Sequence, residues 1–259
     1  MDTAMIILIA AALCGSFMSF FCGFGLGTLL LPAFLIILPA PAAIAASALV
    51  HMANNLFKLF LLGRHADKHL LLTFGLWSVV GALLGATTLG YAGGLSIKYT
   101  YTLLGYPAEI TLLNTLLGMV IIGFSWFELS TAAERGIGMG RNALTAGGLL
   151  SGFFGGLSGH QGALRSAFLM RVGLNKEAFM GTRVVCACMV DLSRIAVYAS
   201  DITTSWHDIP WVYGIAAVIS AFTGAWLGNR FLKKIELPLL NRIVSTALIL
   251  FGLKLIVGV

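Results

Sequence analysis

Long apolar stretches recur along the whole chain, and they constrain its fold more than any other feature. A helix that crosses the hydrocarbon core of a bilayer needs about 20 consecutive, mostly apolar residues. Seven stretches approach this length: Met5 to Phe21, Ala42 to Leu62, His69 to Tyr91, Ile110 to Phe127, Phe179 to Ala199, Pro210 to Leu227 and Leu239 to Val259. Only 10% of the residues are charged, whereas a soluble domain carries about 25%. We therefore expect an all-α integral membrane protein whose main surroundings are the lipid bilayer.

The basic residues indicate topology rather than nucleic-acid binding. The net charge is +6, but the basic residues stand singly in short connections and form no stripe. Lysine and arginine in short loops favour the cytoplasm. The loops predicted to be cytoplasmic contain Arg64 and Lys68, then Arg135 and Arg141, and finally Arg230, Lys233 and Lys234. The segment 201–208 (DITTSWHD) has neither residue type and is predicted to be external.

The cysteines argue against a metal site, and the start of the chain argues against a cleaved secretory signal. Cys14, Cys22, Cys186 and Cys188 all fall inside apolar stretches, where cysteine behaves as a small hydrophobic residue. We predict neither a metal site nor a cofactor. The chain starts with Met1 and Asp2, without the basic segment and cleavage site of a secretory signal. The first stretch is therefore predicted to be the first membrane helix.

Short sequence matches recur in the same order in two halves of the chain and indicate a duplication. The pairs are Ser19–Gly25 (SFFCGFG) with Gly152–Ser158 (GFFGGLS), Asn55-x-x-Lys58 with Asp191-x-x-Arg194, Gly81–Ala86 with Ser220–Ala225, and Leu112–Asn114 with Leu239–Asn241. A polar segment, 128–142 (ELSTAAERGIGMGRN), separates them. We predict a first membrane repeat at 1–128, a cytoplasmic linker at 129–142 and a second membrane repeat at 143–259.

The two repeats are predicted to insert in opposite directions. The basic loop after Leu62 corresponds to the acidic loop after Ser200, which requires an odd number of crossings in each half. Seven stretches meet this condition only if the opening stretch of each half turns back, and the glycine-rich segments 22–27 and 155–162 offer the turns. The prediction is two inverted-topology repeats, each a glycine-broken hairpin of two short helices followed by three long transmembrane helices (5+5). The second short pieces are expected at Thr28 to Leu38 and Ala163 to Val172.

Polar residues inside the predicted membrane helices are the candidates for function, because they are costly there unless they are paired or line a wet cavity. His51, Asn54, Asn55 and Lys58 share one face of a helix in the first half. Asp191 and Arg194 lie one turn apart in the second half. Structural roles remain alternatives: Lys58 could extend to the membrane surface, and Asp191 with Arg194 could form an ion pair.

The segment 158–165 (SGHQGALR) is the strongest candidate for a binding site. A broken helix exposes backbone N–H groups where its second piece begins, and these groups favour an anion. Arg165 adds a guanidinium that can bind an oxyanion through two hydrogen bonds. The predicted substrate-binding residues are Arg165, Gln161, His160, Ser158, Gly159, Gly162, Gly23, Gly25, Gly27, Asn55 and His51. Residues predicted to act in coupling or gating are Asp191, Arg194 and Lys58.

The two hairpins resemble those of the TauE/SafE family. The resemblance rests on the first hairpin, Gly23–Pro32 (GFGLGTLLLP), and on the segment after the second, Gly173–Ala178 (GLNKEA) with Thr182. Members of that family are described as sulfite and organosulfonate exporters and related anion permeases of bacterial inner membranes. The resemblance thus implies efflux of a small sulfur-containing or carboxylate anion. The second hairpin departs from the family pattern at Gly159–Ser166 (GHQGALRS), with Ala167 near the expected proline, so selectivity is expected to be set there.

Two other functions compete with an anion carrier at this point. A channel uses similar backbone dipoles and polar groups. An intramembrane serine protease could use Ser158 in Gly156–Gly159 (GLSG), but the segments after Pro210 contain no histidine to act as its base. We therefore predict a transporter and not an enzyme. Proton, sodium or no coupling remain open, as does the oligomeric state, including a homodimer.

Overall fold

The computed structural model describes residues 2–20, 25–95, 97–103, 106–130, 141–204, 211–231 and 238–258. Within these ranges, and apart from short 3-10 turns after the third and seventh helices, the chain forms ten helices. They are α1 (Thr3–Met18), α2 (Leu26–Leu35), α3 (Ala40–Leu62), α4 (Lys68–Gly94), α5 (Leu112–Leu129), α6 (Arg141–Ser158), α7 (Gly162–Leu169), α8 (Lys176–Thr204), α9 (Trp211–Phe231) and α10 (Pro238–Val257). A π-helical segment, Leu71–Gly75, lies near the start of α4.

Within the described ranges, four helices are long and apolar enough to cross a membrane: Ala40–His65, Lys68–Gly94, Leu112–Leu129 and Trp211–Phe231. Their outward faces carry large apolar side chains, among them Phe60, Leu72 and Trp126, which are 88%, 62% and 71% exposed. Such exposure is unfavourable in water and expected in lipid. The chain is therefore a helical, multi-pass membrane protein.

Helices α2 and α7 are short and follow the two glycine-rich segments. The first, α2, has 10 residues and α7 has 8, so that they extend about 15 and 12 Å, well under the ~30 Å of a hydrocarbon core. The first break lies between Met18 and Leu26, and the second between Ser158 and Gly162. Three longer helices follow each of these hairpins.

Four of the helix pairs that join the two parts of the described chain show their relative direction through touching residues. Helix α1 runs parallel to α9 and α4 parallel to α6, whereas α3 runs antiparallel to α8 and α5 antiparallel to α10. The touching residues that fix these directions are Leu13 with Gly224 and Phe17 with Gly228; Ser78 with Gly152 and Ala82 with Gly156; His51 with Asp191 and Leu62 with Gly181; and Gly118 with Ile256 and Ile122 with Gly252. Helices in equivalent positions of the predicted repeats therefore run in opposite directions where they touch.

Glycines bring α4 and α6 into backbone contact. A Cβ atom at Gly81 would lie 2.8 Å from the backbone nitrogen of Phe153, and one at Gly85 would lie 2.9 Å from that of Leu157. Gly152 and Gly156 on α6 meet α4 backbone in the same way. Small residues at this spacing let membrane helices approach closely, so van der Waals contact holds the pair together.

Two clusters of buried apolar side chains flank a polar zone along α3. The large cluster contains Leu8, Ala12, Leu26, Leu30, Leu31, Ala33, Phe34, Ala43, Ile44, Ala45, Ala46, Val50, Ala86, Leu89, Leu117, Leu157, Tyr198, Ala217 and Ala221. The small cluster contains Phe20, Leu62, Met180 and Ala225, with Phe57, Leu61 and Phe179 packed against it. On α3 the large cluster ends at Val50 and the small one begins at Phe57, so the polar residues from His51 to Asn55 lie between them.

A β-hairpin between α4 and α5 was not predicted. Strands Lys98–Leu103 and Tyr106–Thr111 pair antiparallel. The first reads KYTYTL, an alternation of aromatic and β-branched residues that favours a strand. The Tyr101 hydroxyl donates to the Val257 carbonyl (2.7 Å), which ties the hairpin to the end of α10. The prediction of an all-α protein thus holds for the membrane helices. The β-hairpin in the connection between α4 and α5 is an exception to it.

The predicted repeat boundary lies mostly outside the described residues. Helix α5 ends at Leu129 and α6 begins at Arg141, so the described ends of these helices overlap the two ends of the predicted linker at 129–142. The repeats at 1–128 and 143–259 remain predictions.

Candidate functional site

The start of α2 contacts the turn of the second hairpin. A Cβ atom at Gly27, in the first turn of α2, would lie 2.6 Å from the carbonyl oxygen of Gly159. Gly159 itself has φ +82°, a left-handed conformation that favours glycine. The turn is held by the Ser151 hydroxyl, which donates to the Gln161 carbonyl (3.1 Å). Glycine is thus needed on both sides of this contact.

Gly159→Ala is expected to lower the free energy of unfolding by about 1–3 kcal/mol, because alanine is strained at this φ and its Cβ would lie 2.8 Å from Nη1 of Arg194. The measurement is thermal unfolding of the purified protein in detergent. Gly173→Ala is the matched control, since Gly173 also has φ +82° but no atom within 4 Å of a Cβ. Equal losses in the two variants would show that the Arg194 contact does not matter.

A small cavity lies where the hairpins meet, between the two apolar clusters. It is lined by Ser19, Gly25, Leu26, Gly27, Thr28, His51, Asn55, Lys58, Gly159, Gln161, Gly162, Arg165, Met180, Arg183, Val184 and Ala187. The volume open to the centres of water-sized molecules is about 40 Å³. The cavity is therefore small and suits a small solute.

Three cationic side chains line the cavity: Lys58, Arg165 and Arg183. Arg165 Nη1 donates to Gln161 Oε1 (2.7 Å), while its buried Nε has no hydrogen-bond partner among the described residues. Lys58 Nζ donates to Ser19 Oγ (2.5 Å) and lies 5.2 Å from the centre of the Phe20 ring. The side chains that line the cavity in the described structure include no carboxylate.

The starts of two short helices also line the cavity. Gly25 precedes α2, and Gln161 precedes α7. The first N–H groups of a helix have no partner within it, and they carry partial positive charge. Backbone and side chains therefore contribute charge of the same sign to one small space.

A buried carboxylate lies behind the cavity wall. Asp191 is fully buried and forms an ion pair with Arg194 (Oδ1 to Nε 3.0 Å). Its Oδ2 accepts from Nδ2 of Asn55 (2.6 Å) and contacts His51 Nδ1 (2.7 Å), and its Oδ1 accepts from Nε2 of Gln161 (3.3 Å). This network connects α3, α8 and the second hairpin, and it orients three side chains that line the cavity.

The predicted site residues fall into three groups in the structure. The cavity lining includes Arg165, Gln161, Gly159, Gly162, Gly25, Gly27, Asn55, His51 and Lys58. Asp191 and Arg194 contact these residues from behind. Gly23 lies outside the described residues. Ser158 and His160 are buried, but they do not line the cavity.

His160 turns away because the chain reverses at Gly159. Its ring lies 5.8 Å from that of Phe124, and its Nδ1 is 3.0 Å from Ser158 Oγ. The Ser158 hydroxyl donates to the Phe154 carbonyl (3.2 Å). The two residues are thus neighbours in space, within a buried part of the α6–α7 turn.

Arg183 is a cavity residue that was not predicted. It lies two turns before Asp191 on α8, its guanidinium is 5.3 Å from the centre of the Phe179 ring, and Nη1 donates to Met180 Sδ (3.5 Å). The available signal was an arginine inside an apolar stretch at a spacing of eight residues from Asp191, which puts both on one helix face. Ser19 and Thr28 also line the cavity and were not predicted.

Comparison with known proteins identifies a family over nearly the whole chain. The family described as "Sulfite exporter TauE/SafE" matches residues 7–255. No curated protein sequence matches the chain. The matched range contains both hairpins and every residue that lines the cavity.

Proposed function

The chain belongs to the TauE/SafE family, and we propose that it is a bacterial inner-membrane carrier that exports a small oxyanion such as sulfite. The observation that carries this proposal is the cavity lined by Lys58 and by Arg165, whose buried Nε has no hydrogen-bond partner among the described residues, and without a lining carboxylate among those residues. Buried cations inside a membrane are costly unless a counter-charge is present. An anion that enters the cavity would supply that charge.

The hydrogen-bond donors favour an oxyanion over a halide. The Arg165 guanidinium has fixed, planar donors that suit a pair of oxygens on one central atom. Its Nε lacks a partner in the described structure, and an unsatisfied buried donor costs about 1–3 kcal/mol. The N-termini of α2 and α7 offer further N–H groups, as broken helices do in transporters that bind anionic substrates.

The size of the cavity favours a small substrate. Its volume of about 40 Å³ suits an oxyanion with one central atom. A sulfonate with a long organic group would require the hairpins to separate. Sulfite and similar ions therefore fit the proposal better than bulky organosulfonates.

Helix directions support alternating access in preference to a permanent pore. The antiparallel pairs α3–α8 and α5–α10 agree with the proposal of two inverted repeats, an architecture in which substrate binds at broken helices between the repeats. The two apolar clusters lie on either side of the cavity along α3. A carrier that opens one side at a time needs barriers on both.

The direction of transport is proposed from the position of the cavity and the sign of its charge. Lys58 is four residues, or about 6 Å, from the end of α3 at Leu62, which precedes the loop predicted to be cytoplasmic. The thinner barrier therefore faces the cytoplasm. An inside-negative potential favours outward movement of an anion by about 2.3 kcal/mol per charge per 100 mV.

Arg165→Ala is expected to weaken anion binding about 10- to 100-fold, because a hydrogen bond to a charged group contributes about 1.5–3 kcal/mol. The measurement is thermal shift of the purified protein against sulfite, sulfate, thiosulfate, short sulfonates, carboxylates and phosphate, since a ligand that binds only the folded state raises its stability. Arg165→Lys should recover only part of the affinity, because lysine cannot form the paired contact.

Arg64→Ala is the control for loss of one positive charge, because Arg64 is exposed in the turn after α3. It should bind as the wild type does. If no anion shifts the wild-type transition, the proposed substrate class is wrong. If Arg165→Ala binds normally, the anion lies elsewhere. A carrier should show saturable flux with counterflow. Unitary currents in a planar bilayer would instead show that the protein is a channel.

A further inference from the structure

One ring nitrogen of His51 faces the cavity while the other is held by a carboxylate. Nδ1 lies 2.7 Å from Oδ2 of Asp191. Nε2 is on the cavity side, and a Cβ atom at Gly27 would lie 3.5 Å from it. The ring belongs to the cavity lining, so a bound solute would meet Nε2.

The contact with Asp191 fixes which nitrogen of His51 carries the proton. A carboxylate only accepts hydrogen bonds, so at 2.7 Å the Nδ1 atom must donate. Asn55 Nδ2 is also 3.1 Å from this Nδ1, but it donates its hydrogen to Asp191 Oδ2 (2.6 Å). The proton on His51 is therefore still assigned to Nδ1. In the neutral ring Nε2 then presents a lone pair to the cavity.

An oxyanion and a lone pair cannot form a hydrogen bond. If an oxyanion enters while His51 is neutral, two acceptors face each other. The contact becomes favourable when Nε2 gains a proton and donates to the anion, and a charge-assisted hydrogen bond of this type is among the stronger ones.

The charges around His51 determine when that proton binds. The groups that face it are Asp191 and Arg194 from α8, Lys58 from its own helix and His160 from the α6–α7 turn. Asp191 stabilises an imidazolium, while Arg194 and Lys58 repel it. Lys58 lines the cavity, so a bound anion offsets its charge and makes protonation of His51 easier once the cavity is filled.

We infer that binding of an oxyanion in the cavity is linked to the uptake of one proton from water by Nε2 of His51. The imidazole becomes an imidazolium, its Nδ1 hydrogen stays on Asp191, and the bound anion accepts the new Nε2–H. The inference rests on the proposed function, because it requires an anion in this cavity. It makes anion binding proton-linked and His51 the residue responsible.

Isothermal titration calorimetry of the detergent-purified chain measures this uptake directly. Sulfite and sulfate are the probes, and sulfate takes up no proton near neutral pH. The titrations are run in Bis-Tris and in imidazole, because phosphate and sulfonate buffers would compete for the site. A proton taken from the buffer makes the binding heat depend on the buffer's ionisation enthalpy, and we expect up to about one proton per bound anion, since one ring nitrogen is available.

Three variants identify the proton acceptor. His51→Gln should bind without proton uptake. Lys58→Arg keeps a cation that does not titrate, so it tests whether the lysine takes the proton instead, and His160→Gln tests the second buried histidine. The anion that each of these two variants binds should still be accompanied by proton uptake, whatever the change in affinity. Wild-type affinity for the anion should also depend on pH. Above the pH range where His51 is protonated in the empty protein, each unit of pH should lower the affinity by up to about tenfold, because binding then requires a proton from solution.

The outcomes separate the inference from the function on which it rests. Anion binding with the same heat in both buffers would overturn the inference and leave the proposed function standing. Uptake that persists in His51→Gln, or disappears in Lys58→Arg or His160→Gln, would assign the proton to another group and overturn it also. If His51→Gln does not bind, retained uptake in the other two variants supports the inference. No binding of either probe would overturn both proposals.

Discussion

Asp191→Ala is expected to lower the free energy of unfolding by about 3–5 kcal/mol, the usual cost of removing one partner from a buried ion pair. Asp191 is fully buried, and Arg194 beside it is 1% exposed. The substitution would leave the Arg194 guanidinium without its carboxylate in a low-dielectric interior. It would also remove the acceptor that holds His51, Asn55 and Gln161.

The loss of stability should lower the midpoint of thermal unfolding, which is measured in detergent by tryptophan fluorescence. Leu192→Ala is the control on the same helix, because Leu192 is 62% exposed on the outer face and its loss should cost less than about 0.5 kcal/mol. The double variant Asp191→Asn with Arg194→Gln removes both charges and should recover part of the stability. An unfolding midpoint that is the same in Asp191→Ala and Leu192→Ala would mean that the ion pair is not structural.

Gly85→Val is expected to destabilise the fold by about 3 kcal/mol or more, at the upper end of overpacking effects. A Cβ atom at Gly85 would collide with the carbonyl group of Phe153 and lie 2.9 Å from the backbone nitrogen of Leu157. Backbone atoms in the middle of a helix cannot move aside as a flexible side chain can. The helices α4 and α6 would have to separate, and their contacts along several turns would be lost.

Gly90→Val provides the comparison for this prediction. Gly90 is on the same helix and exposed, and no atom lies within 4 Å of a Cβ built on it. Both substitutions change helix propensity in the same way, so the difference between the two unfolding midpoints isolates the contact with α6. Equal midpoints would contradict the close packing of α4 against α6.

The sequence predicted the helices well where the signal is local. Apolar length identified the long helices, and dense glycine identified the breaks before Leu26 and Gly162, because both properties act within one segment. The β-hairpin was missed although its strand pattern, KYTYTL at 98–103, is also local. It lies between two long apolar stretches, whose helical signal is stronger than that of six residues in the connection.

The candidate site was harder to predict, because its members come from distant segments. His51 and Asp191 were each recognisable as buried polar residues, but their contact depends on how α3 and α8 pack. Arg183 enters the cavity through the same packing. The direction of His160 depends on the left-handed turn at Gly159, which rotates the next side chain away from its neighbours in sequence.

Helices from the first part of the chain pack against helices from the second part. The two parts of the sequence therefore cannot move apart as two separate rigid bodies. Helix α1 is fastened to α9, and α6 to α4, through backbones that touch at Gly224 and Gly85. A motion that pulled residues 1–128 away from residues 143–259 as two rigid blocks would have to break both contacts at once. Any unit that moves as a rigid body and keeps these contacts must therefore contain helices from both parts of the chain.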